Sequence, residues 1–183
     1  HIFMNIEIDK IISLFKKNNF TGAKKLCEQL ENNFINDFNS IVKQHSIADK
    51  KPAISLSGGV DSNIIMNNFS SIEDKYSSFT LGFQNETFDE AKYVKEINNN
   101  IDKKIYYADK ESFKNSFLEI SKLLNEPMGD SSIIPTYIIQ KKIKNYSNVS
   151  IGGDGGDESF FGYITFDAFY LAKFFKKIVP FFI

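Results

Sequence analysis

A chain of 183 residues with a formal net charge of −1 is long enough for one domain with its own core, and it lacks the basic excess of nucleic-acid binders. One cysteine and two histidines exclude an intrachain disulfide, a cysteine-rich zinc site and a histidine-based metal cluster. No signal peptide is visible and no apolar run approaches the length of a membrane span, so the expected setting is a reducing cytoplasm.

Residues 6–48 read as helical. Ile8, Ile11, Ile12 and Phe15 share one face, Asn18-Asn19 breaks the pattern, and Thr21 can cap a second helix. Ala23, Leu26, Cys27, Leu30 and Phe34 continue a stripe at helical spacing, extended by Phe38, Ile41 and Val42, so Cys27 is expected as a small core residue. Asp49 to Pro52 is a turn that ends this segment. The expected division is an N-terminal helical segment, 1–48, and a second domain, 49–183.

From Ala53 the pattern changes to strands alternating with helices. Strands are expected at Ala53 to Leu56, Ser78 to Leu81, Ile105 to Tyr107 and Val149 to Ile151. Ile64, Ile65 and Phe69 give the first intervening helix an inner face. Thr87-Phe88-Asp89-Glu90 has the form of a capping box ahead of Ala91, Val94 and Ile97. Phe113, Phe117, Ile120 and Leu124 mark another helix, and Asp130 or Ser131 can cap the one through Ile138 to Lys144. The alternation predicts an α/β fold, a parallel sheet flanked by helices, with sites at the carboxyl ends of its strands. The apolar tail from Phe169 to Ile183 reads either as a helix that packs or as one lying on a membrane surface.

Two glycine-rich segments follow strands. In Ser57-Gly58-Gly59-Val60-Asp61-Ser62 the glycines can take positive φ and admit a ligand close to the backbone, while the serines add hydroxyl donors. The amides of such a turn and of the helix it opens form an anion site. Asp61 within that cup would repel a phosphate unless a cation bridged them, which suggests Mg²⁺. The plainer reading is a strand-to-helix turn with Asp61 as a helix cap. Gly153-Asp154-Gly155-Gly156-Asp157-Glu158 suits a tight loop that places charge, or else a solvated turn whose acids cap the next helix.

Taken together, Ser57 to Ser62, Phe79-Thr80-Leu81-Gly82-Phe83, Asp89-Glu90-Ala91, Asp130-Ser131-Ser132, Gly153 to Glu158 and Gly162-Tyr163 occur in one order. That order resembles the synthetase domain of the asparagine synthetase family, a pyrophosphate-loop type, over roughly residues 35–165. The resemblance implies an adenine nucleotide alpha hydrolase-like fold that binds ATP and Mg²⁺. It implies an ATP-dependent amide ligase in which a carboxylate, aspartate or an analogue, becomes an acyl-adenylate with release of pyrophosphate, and an amine then displaces AMP. By the same resemblance Ser57, Gly58, Gly59, Asp61 and Ser62 would hold the pyrophosphate portion. Leu56, Leu81, Gly152 and Gly153 would line the adenosine side, Asp61 and Asp157 would hold Mg²⁺, and Asp154 would act near the reacting acyl group. Asp130 and Ser131 either face the substrate pocket or cap a helix.

Several features depart from the family pattern. Asn63 stands where a second serine is usual, and Ser159 and Phe161 replace the usual Leu and Gly. The family's glutaminase begins with a nucleophilic cysteine, whereas Cys27 lies mid-helix. No lysine matches the family's downstream lysine, since Lys173, Lys176 and Lys177 lie in another context. A truncated chain, a split enzyme completed by a separate glutaminase or C-terminal part, and a degenerate, non-catalytic nucleotide-binding module all fit these features.

Overall fold

The computed structural model describes residues 10–72, 76–84, 89–97, 101–160, 162–166, 168–169 and 171–172. It divides into two compact units, His1–Ile47 and Ala48–Ile183. In the first, residues 10–16 are helical and α1 spans Phe20–His45. The cap of α1 is Asn19 rather than Thr21: its side-chain oxygen accepts from the Gly22 N–H at 2.9 Å. Asn18, at φ 54°, makes the break between the two helices, a left-handed conformation that asparagine tolerates. Ala23 and Val42 are the buried residues of α1, whereas Cys27, Phe34 and Ile41 are exposed. The expected core role of Cys27 is therefore corrected, because the helical stripe is wider than the face that is covered. Ile8 lies outside the described residues.

The second unit holds β1 (Ala53–Ser55), α2 (Val60–Ile72), β2 (Ser77–Phe83), α3 (Ala91–Glu96), β3 (Asp102–Ala108), α4 (Lys110–Leu123), α5 (Ile133–Lys144), β4 (Ser150–Ile151) and α6 (Gly156–Phe160). The strands form one parallel sheet in the order β3-β2-β1-β4. β2 and β3 pair over seven positions, from Ser77↔Asp102 to Phe83↔Ala108, so both are longer than the apolar runs alone suggest. Ladder hydrogen bonds carry Asp102, Lys103 and Lys104 into the sheet although their side chains are charged. β1 pairs with β2 on one side and with β4 on the other. The chain thus reverses its direction of travel across the sheet at β1/β4, the position where open α/β sheets leave a crevice.

Phe79, Ala53, Ile139 and Ile143 form a buried cluster, with Leu81 and Tyr106 packed against it. The Phe79 ring lies 6.3 Å from that of Tyr106 and 5.4 Å from that of Tyr146. On α2 the buried residues are Ser62, Met66 and Phe69, while Ile64 is exposed; on α4 they are Ser116 and Ile120, while Phe117 is exposed. Both helices form as expected, but their covered faces are rotated from the apolar stripes.

Two caps also differ. The cap position of α5 is Ser132, which makes no side-chain cap bond, and the Asp130 carboxylate accepts the Ser132 N–H at 2.9 Å. At α3, Thr87 and Phe88 of the expected capping box lie outside the described residues. Asp89 accepts from the Phe83 and Ala91 N–H groups, each at 3.1 Å. Residues 168–169 and 171–172 are helical, and the rest of the tail reading lies outside the described residues. Among the described residues no helix is long and apolar enough to cross a membrane.

Candidate functional site

β1 and β4 are adjacent, so the turns that follow them meet. A cavity of about 370 Å³ opens there, lined by Ser57, Gly59, Asp61 and Ser62 from the first loop and by Gly152, Gly153, Asp154, Gly155, Asp157 and Glu158 from the second. Ser55, Glu90 and Tyr163 complete its wall. Of the residues singled out from sequence, Leu56, Gly58 and Leu81 do not line it, and neither do Asp130 and Ser131. Leu56 is buried, accepting the Thr80 hydroxyl at 2.8 Å, and Leu81 packs against the core.

The first loop is held by its own hydroxyls. The Ser57 N–H donates to Ser62 Oγ at 3.1 Å, the Gly59 N–H donates to Ser57 Oγ at 3.1 Å, and the two hydroxyl oxygens lie 2.9 Å apart. Asn63 donates to the Gly59 carbonyl at 2.6 Å and to the Ser57 carbonyl at 3.3 Å. The asparagine thus braces the loop in place of the family's usual serine. Neither Gly58 nor Gly59 has a positive φ, which corrects the conformational reason for those glycines. Asp61 stands in the first turn of α2, where amides have no acceptor within the helix.

The second loop touches the first through its missing side chains. A Cβ on Gly153 would sit 2.7 Å from the Ser62 amide nitrogen and 3.0 Å from Asp61 Cβ. A Cβ on Gly156 would overlap the Asp61 carboxylate. The Gly153 contact is with main-chain atoms, so glycine is required there for the loops to approach this closely, whereas the Gly156 contact is with the Asp61 side chain.

Among the described residues the cavity wall carries five carboxylates, Asp61, Glu90, Asp154, Asp157 and Glu158, and no lysine or arginine. Glu90 accepts from the Gly58 N–H, and Glu158 from the Tyr163 hydroxyl. Among the described residues the carboxylates of Asp61, Asp154 and Asp157 have no hydrogen-bond or ion-pair partner, and no group of three or more Asp, Glu, His or Cys is placed to hold a metal. Two hard oxygen donors beside a row of helix amides suit a cation that keeps most of its ligands as phosphate and water, the habit of Mg²⁺.

The model of the asparagine synthase family matches residues 35–180. The chain belongs to the asparagine synthase family. It is 31% identical over 127 residues to the glutamine-hydrolysing asparagine synthetase 1 of Bacillus subtilis, an alignment covering 67% of this chain and 20% of that protein. A protein of Methanocaldococcus jannaschii, provisionally named glutamine-hydrolysing asparagine synthetase 2, is 32% identical over 130 residues, covering 69% of this chain and 25% of its own length. The chain therefore spans about a fifth to a quarter of these curated relatives.

Within the family's second motif, Ser159 is exposed and Phe161 lies outside the described residues. Tyr163 and Glu158, which sequence reasoning did not assign, close one side of the cavity. Their hydrogen bond of 2.6 Å holds the Glu158 carboxyl below its usual range and pushes the Tyr163 phenol up to about 12. Glu158 is depressed in the folded chain, so its share of the bond is present above the unfolded carboxylate pKa and lost as pH falls through the lowered value. The phenol is raised, so its share is present below the unfolded pKa and lost as pH rises through about 12. Tyr163→Phe should return Glu158 upward toward the ordinary carboxylate range, read by a ¹³C-carboxyl titration. An unmoved Glu158 would show that the phenol does not hold it.

Proposed function

We propose that this chain carries the nucleotide-activating site of an ATP-dependent amide ligase. The observation that supports this best is the meeting of two glycine loops at β1/β4, which sets the unpaired carboxylates of Asp61 and Asp157 beside the first turn of α2. In this reading Ser57, Gly58, Gly59 and Ser62 hold the pyrophosphate portion of ATP. Leu56, Leu81, Gly152 and Gly153 line the adenosine side, largely by backbone contacts.

In this reading Asp61 and Asp157 would hold Mg²⁺, and the cation would supply charge neutralisation at the phosphate oxygens. A carboxylate oxygen of the substrate, aspartate or an analogue, bonds to the α-phosphorus and pyrophosphate leaves. An amine nitrogen then bonds to the acyl carbon, AMP leaves with the C–O bond electrons, and the nitrogen gives up a proton. Asp154 is exposed and lines the cavity, and in this reading it orients the substrate or takes that proton. In this reading the amine nitrogen is drawn from glutamine, since the curated relatives are named glutamine-hydrolysing.

Calorimetry with ATP and millimolar Mg²⁺ tests the reading. The wild-type chain should bind, and Asp61→Asn should weaken binding at least about tenfold, the scale for loss of one metal-orienting group. Absence of binding, or equal binding by the variant, would sink it.

A further inference from the structure

The Asp89-Glu90-Ala91 motif has no part in the chemistry above, yet Glu90 stands in the cavity wall. Its carboxylate accepts the Gly58 N–H at 3.1 Å, a contact across 32 residues of sequence. Glu90 occupies the cap position of α3 but makes no side-chain cap bond to its own helix, so this carboxylate is committed to the loop. The helix cap is supplied instead by Asp89. Its Oδ1 accepts from Ala91 and from Phe83 at the end of β2, fixing where Glu90 emerges.

Gly58 is matched to this contact. A Cβ there would lie 3.2 Å from Glu90 Cβ and 3.3 Å from Tyr93 Cδ2, so a side chain would push the loop away from α3. Gly58 is also absent from the cavity lining, although Ser57 and Gly59 on either side of it are present. Its amide is directed at the Glu90 carboxylate. The amides of Ser57 and Gly59 are satisfied by hydroxyls within the loop; that of Gly58 alone is held by a charged group from another element.

We infer that Glu90 is a positioning residue for the pyrophosphate loop: by holding the Gly58 peptide, it sets the Ser57 and Gly59 groups and the first turn of α2 toward the phosphates. This rests on the pyrophosphate reading above and refines it, since Gly58 then serves the loop through Glu90 rather than by touching the ligand. A charge-assisted bond to a backbone amide is among the stronger single contacts available to an exposed loop.

The test is binding of inorganic pyrophosphate and of ATP with Mg²⁺, by calorimetry, to the full chain and to three variants. Glu90→Ala removes the acceptor. Glu90→Asp keeps the charge but is one methylene too short to reach Gly58. Glu90→Gln keeps the acceptor and loses the charge. Glu90→Ala and Glu90→Asp should each weaken binding about tenfold, and Glu90→Gln should match or exceed the wild type.

The Gly58 amide resonance should move far in the first two variants, which lose the bond, and least in the third, which keeps a neutral acceptor. If Glu90→Ala does not fold, the Asp and Gln pair decides alone. Wild-type affinity in both Glu90→Ala and Glu90→Asp, or a Glu90→Gln variant as weak as Glu90→Ala, would overturn the role of Glu90 while leaving the nucleotide site standing. No binding by the wild type would overturn both.

Discussion

Gly153→Ala is expected to abolish measurable ATP–Mg²⁺ binding while the sheet still folds. The added Cβ would lie 2.7 Å from the Ser62 backbone nitrogen and 3.2 Å from the Asp61 carbonyl carbon. Both are main-chain atoms at the start of α2, so no rotamer change relieves the contact. Either the second loop moves away from the first or α2 shifts. Overpacking of this kind costs about 1–3 kcal/mol, which a folded domain of ordinary stability tolerates. The site does not tolerate it, because a displacement of about 1 Å at a positioned group costs on the order of a hundredfold in function.

Gly156→Ala makes a useful contrast. Its Cβ would meet the end of the Asp61 side chain, which can rotate away, so the loss there should be smaller and confined to the cation. Calorimetry with circular dichroism separates the two variants. Undiminished binding by Gly153→Ala would show that the loops need not touch.

Phe79→Ala should have the largest effect on stability. Phe79 is 1% exposed at the centre of β2, packed with Ala53, Ile139 and Ile143 and flanked by the rings of Tyr106 and Tyr146. Truncating a buried phenylalanine costs about 3–5 kcal/mol, from lost transfer energy and the cavity left behind. Set against the roughly 5–15 kcal/mol that holds a typical domain together, this is a large share of the total. Denaturant unfolding should show the midpoint falling with the slope unchanged. A loss below about 1 kcal/mol would mean that the core re-forms around the gap.

Much of the architecture was legible because it is written in local patterns. Ala53 to Ser55, the stretch around Phe79 to Leu81, and Ile105 to Tyr107 are short apolar runs between helical stretches, and each became a parallel strand. Their ends were less legible: Asp102 and Lys103 join β3 through backbone pairing with Ser77 and Ser78, which side-chain polarity does not report. Helix faces were legible only in part. Ile64 and Phe117 fit an apolar stripe, yet the covered positions are Ser62 and Met66 on α2 and Ser116 on α4. A stripe tells which residues could be buried, and the packing partner selects among them. The cap at Asn19 was missed in favour of Thr21 because both residue types cap helices and only the backbone turn at Asn18 separates them.

By itself, the amino-acid order determined that strands and helices alternate, that two glycine-rich loops follow strands, and that their motifs resemble one family. These are properties of neighbours along the chain. Only the tertiary structure decided that β4 lies beside β1, which brings Gly153 and Gly156 against Asp61, and that Glu90 reaches back to the Gly58 amide. Strand order arises from hydrogen bonds and packing between segments nearly a hundred residues apart. No local pattern of hydrophobicity or turn residues encodes which strand will pair with which.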